Sequence, residues 1–252
     1  MNLYSYSSLL CRRVVKCEGN LNYRIPPSLL SLKTNTTSVA SCWSSPISGS
    51  TEQVMVEYLF GRRKATEVAH YVWKHVVKKG DAVVDATCGN GYDTLELLKL
   101  IADKTQSGRV YGMDVQKIAI ESTSSLLDQY ASSDEKELVE LFVVSHSHME
   151  DIVPNEVAVR LVAFNLGYLP GGDKRIITRS ETTLLALEAA KRILAPGGLI
   201  SIVTYVGHPG GREECEKIED FASRLPFDSW NCCRLQMLNR PLAPVLMFLF
   251  KR

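Results

Sequence analysis

Ala82-Val83-Val84-Asp85-Ala86-Thr87-Cys88-Gly89-Asn90-Gly91 is the stretch that decides the fold. A short apolar run ends on an acid, a Gly-x-Gly turn follows, and Leu95, Leu97, Leu98 and Ile101 then recur at helical spacing. Strand, glycine turn and helix in that order form the opening unit of an α/β sheet. Just upstream, Val68, Tyr71, Val72, His75 and Val76 share a helical period that Lys78-Lys79-Gly80 should end.

The alternation continues downstream. Arg109–Asp114 reads as a second strand, Ile118–Tyr130 as a helix and Ser132–Lys136 as a polar turn. Leu138–Val144 and Leu161–Phe164 read as strands three and four. Thr182–Leu194 reads as a helix stopped by Pro196-Gly197-Gly198. Leu199–Tyr205 is strand five and Glu213–Arg224 a further helix. Strands over Trp230–Met237 and Val245–Phe250, joined by the Asn239–Pro244 turn, close the chain. This order implies a doubly wound, mainly parallel, seven-stranded sheet with an antiparallel C-terminal hairpin. Ligands of such sheets sit beyond the carboxyl ends of the strands, where every motif below falls.

The 252 residues carry 29 Lys+Arg against 28 Asp+Glu and are 45% hydrophobic, the balance of an ordinary soluble domain. No run approaches the roughly 18 to 20 apolar residues of a membrane span. The near-zero charge excludes coating of nucleic acid through bulk basicity. Residues 1–50 hold five basic residues and one acid, leaving 24 basic and 27 acidic residues in 51–252. A polyanionic partner must therefore meet a local basic patch on the body. The first fifty residues are Ser/Thr-rich and poor in acids, the composition of a disordered organellar transit peptide. Ser and Thr outnumber Arg, which favours a chloroplast over a mitochondrion. Residues 51–252 are then a single domain. The seven cysteines form no CxxC pair and read as reduced thiols, with no metal site.

Asp85 and the Gly89-Asn90-Gly91 turn lack the third glycine of a dinucleotide fingerprint, and Tyr92-Asp93 follows in its place. Carboxylates at Asp85 and Asp93 would repel a pyrophosphate. They suit S-adenosylmethionine, which has no phosphate and carries an ammonium and a sulfonium. Asp114, ending strand two, is placed to accept both ribose hydroxyls, with Gln116 just beyond. Ser147 and His148, after strand three, are candidate adenine or ribose contacts. The paired His146 and His148 find no third ligand at metal spacing.

Asn165-Leu166-Gly167-Tyr168 closes strand four with the Asn-x-x-Tyr outline of amino-group methyltransferases. A nitrogen nucleophile must aim its lone pair at the methyl carbon while its N–H bonds point elsewhere. The Asn165 side-chain oxygen and the Leu166 carbonyl could accept those hydrogens, Gly167 lets the loop come close, and Tyr168 could stack on a base. Lys174, Arg175 and Arg179 offer the local basic patch, and Arg212 adds to it. His208 and Asp173 compete as a base that takes the proton of an ammonium acceptor.

These residues resemble the bacterial MnmM (YtqB-like) family. The likeness rests on Asp85-Ala86-Thr87, Gly89-Asn90-Gly91, Asp93-Thr94, the decapeptide Asn165–Lys174 and Gly207-His208-Pro209-Gly210-Gly211, and runs from about residue 55 to the C-terminus. The resemblance implies a class I, Rossmann-like methyltransferase fold. It also implies methyl transfer from S-adenosylmethionine to the exocyclic amine of 5-aminomethyl-2-thiouridine at the tRNA wobble position, giving 5-methylaminomethyl-2-thiouridine. The partner would be a tRNA anticodon stem-loop. Asn90, Asp114, Gln116, Ser147 and His148 match the family's cofactor motifs. Cys88, Tyr92 and the Asn239–Pro244 turn depart from its pattern, and the presequence marks a plant organellar member. Methylation of ribosomal RNA, a nicotinamide-dependent oxidoreductase and a non-catalytic S-adenosylmethionine-binding module are the rival readings. A homodimer is compatible with the sequence.

Overall fold

The computed structural model describes residues 52–252, so the segment expected to be a transit peptide, with Cys11, Cys17 and Cys42, lies outside the described residues. Seven strands form one sheet in the order β3-β2-β1-β4-β5-β7-β6. They are β1 (Ala82–Asp85), β2 (Arg109–Asp114), β3 (Val139–Val143), β4 (Val159–Asn165), β5 (Leu194–Thr204), β6 (Trp230–Leu235) and β7 (Val245–Lys251). Strands β1 to β5 are parallel; β7 runs antiparallel to both β5 and β6. The fold is thus the seven-stranded α/β arrangement expected. The sequence did not disclose that β7 inserts between β5 and β6.

The helices are α1 (Glu52–Leu59), α2 (Ala65–Val76), α3 (Tyr92–Ile101), α4 (Lys117–Tyr130), α5 (Ser133–Lys136), α6 (Met149–Ile152), α7 (Ser180–Ile193) and α8 (Gly211–Ser223). Alternation along β1 sends Val83 into a core with α2, α3 and α4 (through Val68, Leu98 and Leu127), and Val84 into the opposite core with α7 and α8 (through Leu187 and Ile218). Strand order reverses beside β1, between β1 and β4, and the crevice there opens at the strands' carboxyl ends.

Three local expectations are corrected. Ser132–Lys136 is not a plain turn: Ser132 and Glu135 form a reciprocal capping box that starts α5. Pro196-Gly197-Gly198 does not separate helix from strand. Leu194 already pairs with Val159, and two steps along β4 match five along β5, so the Pro-Gly-Gly is a bulge inside β5. On α2 the buried line is Ala65, Val68, Ala69 and Trp73, while His75 faces solvent. Small Ala65 and Ala69 let the helix approach the sheet, and Trp73 fills the remaining space.

Candidate active site

Strand β1 delivers Asp85 to the base of the crevice. Asp85 is 1% exposed. It accepts from Thr94 Oγ1 at 2.5 Å and from the Thr87 N–H at 3.1 Å. Burial, with the Asp93 charge adding to it, pushes its carboxyl up to about 7. It therefore ties the glycine turn to the first turn of α3 and does not face the crevice as the charge argument expected. Gly91 caps α3 with φ +86°, and a Cβ there would lie 2.8 Å from the Thr123 Cα. Only glycine fits that backbone against α4.

Asp114 ends β2 with each carboxylate oxygen holding one backbone donor, Gly89 N–H at 3.1 Å and Gln116 N–H at 2.9 Å. Burial raises its carboxyl above the ordinary range, against those two bonds. Spare lone pairs remain for two hydroxyls. Next to it Val115 is 56% exposed, an apolar platform at the crevice mouth. A Cβ on Gly89 would meet only Leu169 Cδ1 at 3.7 Å and the Thr87 carbonyl at 3.9 Å. An acid for a diol, an apolar shelf and an open glycine backbone fit S-adenosylmethionine. Asn90 Nδ2 donates to the Pro170 carbonyl at 3.3 Å, clasping the glycine turn to the loop after β4. Tyr92 is exposed.

Asn165 is the last residue of β4. Its N–H donates to Thr87 Oγ1 at 2.7 Å, and the Leu166 N–H donates to the Val203 carbonyl at 2.8 Å. Its Nδ2 donates to Asp93 Oδ2 at 3.0 Å, and Asp93 Oδ1 accepts from His70 Nε2 at 2.5 Å. Asp93 thus faces Asn165 and His70, not a ligand charge. Leu166 has its side chain fully buried, and Gly167 takes φ +139°. The Gly167 N–H donates to Thr178 Oγ1, whose hydroxyl donates to Glu214. Glu214 is 1% exposed, and burial raises its carboxyl. Tyr168 is 41% exposed, with Lys174 Nζ 5.7 Å above its ring and His208 at its edge, centroids 6.3 Å apart.

The other expected residues fall as follows. His208 Nε2 is buried and unpartnered, and a Cβ on Gly167 would lie 3.7 Å from it. Asp173 is held by Arg175 at 2.7 Å, which keeps its carboxyl below the usual range. A carboxyl held low is a poor base, whereas Arg175, its side chain 90% exposed, keeps its reach toward solvent. Arg179 and Arg212 are exposed at the first turns of α7 and α8. Ser147 bonds Ser145 at 2.9 Å, and exposed His148 bonds Asp151 at 3.0 Å. Among the described residues no group of three or more His, Cys, Asp or Glu could hold a metal, and no helix is long and apolar enough to cross a membrane. His70, Thr87, Thr94, Thr178, Thr183 and Glu214 were missed. Thr87 and Thr94 stand inside the motifs around the glycine turn, but their bonds to Asn165 and Asp85 were not assigned; the other four act through partners distant in sequence, so no local pattern marks them.

Residues 110–251 match the family described as "Putative rRNA methylase". The chain belongs to that family. A relative from Arabidopsis thaliana, named tRNA (mnm(5)s(2)U34)-methyltransferase, chloroplastic, is 65% identical over 209 residues, covering 82% of this chain and 76% of the relative. A protein of Clostridium thermocellum described as "putative rRNA-methylase" superposes with a TM-score of 0.70 at 37% identity, covering 75% of this chain and 98% of that one. A protein of Streptococcus mutans described as "a putative methyltransferase", solved in complex with SAH, gives 0.65 at 30% identity over 75% and 99% of the two chains. Both solved proteins share the fold of this chain.

Proposed function

We propose that the chain is an S-adenosylmethionine-dependent tRNA methyltransferase acting on the exocyclic amine of 5-aminomethyl-2-thiouridine at wobble position 34. The product is 5-methylaminomethyl-2-thiouridine. On this reading residues 1–50 are a transit peptide for the chloroplast and residues 51–252 the catalytic domain, with the tRNA anticodon stem-loop as partner. The chloroplastic relative supports the substrate and compartment, and the SAH-bound relative supports the cofactor.

One observation carries the chemistry. Asn165 gives its amide nitrogen to Asp93, which leaves Oδ1 as the polar atom for an incoming amine. When bound, the cofactor supplies an electrophilic methyl group. The chain supplies alignment. Asn165 Oδ1 accepts one N–H of the neutral amine, the Leu166 carbonyl a second, and the lone pair is left aimed at the methyl. The aminomethyl group is protonated in water, and His208 Nε2, buried beside Gly167, is placed to take that proton. Tyr168, steadied by Lys174 and His208, offers a ring face to a base. Asp85, Gly89, Asn90, Gly91 and Asp93 shape the cofactor pocket, and Asp114, Gln116, Ser147 and His148 contact it. Lys174, Arg179 and Arg212 meet phosphates.

The test is single-turnover methylation of aminomethylated anticodon stem-loops by wild type and Asn165→Ala. Turnover should collapse while calorimetric affinity for S-adenosylmethionine stays within about threefold. Comparable loss of both ends the acceptor role. The family's rRNA description keeps a second reading in view. Nucleoside mass analysis of tRNA and rRNA from a null line separates them.

A further inference from the structure

His70 lies on α2, outside every motif, yet its Nε2 sits 2.5 Å from Asp93 Oδ1. The two side chains are only 20% and 11% exposed. The imidazole rests against Trp73, ring centroids 4.7 Å apart, and Trp73 is itself 2% exposed. The other Asp93 oxygen takes Asn165 Nδ2. Three side chains from α2, α3 and β4 are thus joined in one line that ends at the acceptor amide.

We propose that His70 is a positioning residue for methyl transfer, acting through Asp93 to hold the Asn165 amide in the one orientation that presents its oxygen. The inference rests on the acceptor role of Asn165. An asparagine amide has two orientations half a turn apart. One turns the oxygen toward the amine; the other turns the NH₂ there, donor against donor. An ionised carboxylate offers only acceptors, so it selects the first orientation, provided it is itself held. The charge-assisted bond from His70 fixes one oxygen and thereby aims the second. Without it the carboxylate is free to turn, and the amide loses its selector. Misplacement on this scale costs up to about 10²-fold in rate.

The test uses His70→Ala, His70→Gln, Asn165→Ala and the His70→Ala/Asn165→Ala double variant. Turnover and S-adenosylmethionine affinity are measured for each, and the Asn165 side-chain NH₂ resonances are followed in ¹⁵N spectra. His70→Ala should slow turnover about ten- to a hundredfold with cofactor affinity within about threefold. It should also move the Asn165 NH₂ resonances. His70→Gln, which keeps an N–H donor, should restore most of both. The double variant should be no slower than Asn165→Ala alone. Unchanged Asn165 resonances in His70→Ala, multiplying losses in the double variant, or equal failure of Ala and Gln with matching loss of cofactor affinity would each overturn the role. Full turnover by Asn165→Ala instead removes the acceptor reading, whatever the resonances report about His70.

Discussion

Thr178 Oγ1 lies 2.9 Å from Glu214 Oε2, and the same hydroxyl accepts the Gly167 N–H at 2.9 Å. Thr183 donates to the other Glu214 oxygen at 2.6 Å. One buried carboxylate on α8 therefore fixes both the start of α7 and the loop that follows Asn165. Thr178→Val keeps the shape but strands the Gly167 N–H and one Glu214 oxygen. A buried group left unsatisfied costs about 1–3 kcal/mol. Urea unfolding should register a loss in that range, and turnover should fall further than cofactor affinity does.

Asp114 is the acid we assign to the ribose diol. Hydrogen bonds to a charged acceptor contribute about 1.5–3 kcal/mol, so Asp114→Ala should weaken S-adenosylmethionine binding roughly ten- to a hundredfold by calorimetry. Unchanged affinity would remove Asp114 from the cofactor site.

Gly91→Ala meets two obstacles at once, a φ of +86° and a Cβ placed 2.8 Å from the Thr123 Cα. Strained backbone of this kind costs about 1–3 kcal/mol. Thermal unfolding should shift down accordingly, and cofactor affinity should drop because the turn must move off α4. A midpoint equal to wild type would show that α4 yields at no cost.

Two buried groups make stability depend on pH with opposite signs. Burial lowers His146 to about 4 from an ordinary 6.5. Between those values the unfolded chain takes a proton that the native ring refuses, so stability falls as pH drops from 6.5 to 4, by at most about 1.4 kcal/mol per unit. His146→Gln should flatten that slope in urea midpoints taken across the window.

Asp85 goes the other way, because its native carboxyl is raised from 3.8 to about 7. Above 3.8 the unfolded chain releases a proton that the native carboxyl keeps. Its contribution is complete below pH 3.8 and is lost as pH rises through 7. Asp85→Asn should therefore be more stable than wild type at pH 8 and lose that advantage toward pH 4.

The strands were legible because apolar runs and the turns that punctuate them are local. Val83 and Val84 already announce a strand buried on both faces. Gly89 and Gly91 announce a tight turn, since a positive φ favours glycine, which has no Cβ to clash. Where the chemistry of a residue depends on its neighbours, sequence misleads. Asp85 and Asp93 read as charges for a ligand, yet both are spent on protein donors. Asp173 reads as a base, yet Arg175 two residues on holds its carboxyl below the usual range. Pro196-Gly197-Gly198 reads as a break, yet Val159 and Leu161 on β4 hold β5 in register on both sides of it.

The order of elements, the glycine turn, the acids that end β1 and β2 and the Asn165–Tyr168 loop were set by residues near one another in the chain. That is enough to define an α/β crevice at the carboxyl ends of β1, β2 and β4. Tertiary structure alone decided that β7 enters between β5 and β6, that Glu214 reaches the loop after β4 through Thr178, and that His70 meets Asp93 to orient Asn165. A hydrogen bond acts over about 3 Å, whereas 23 residues separate His70 from Asp93 and 72 separate Asp93 from Asn165. Only packing of α2 and α3 on the same face of the sheet closes those gaps.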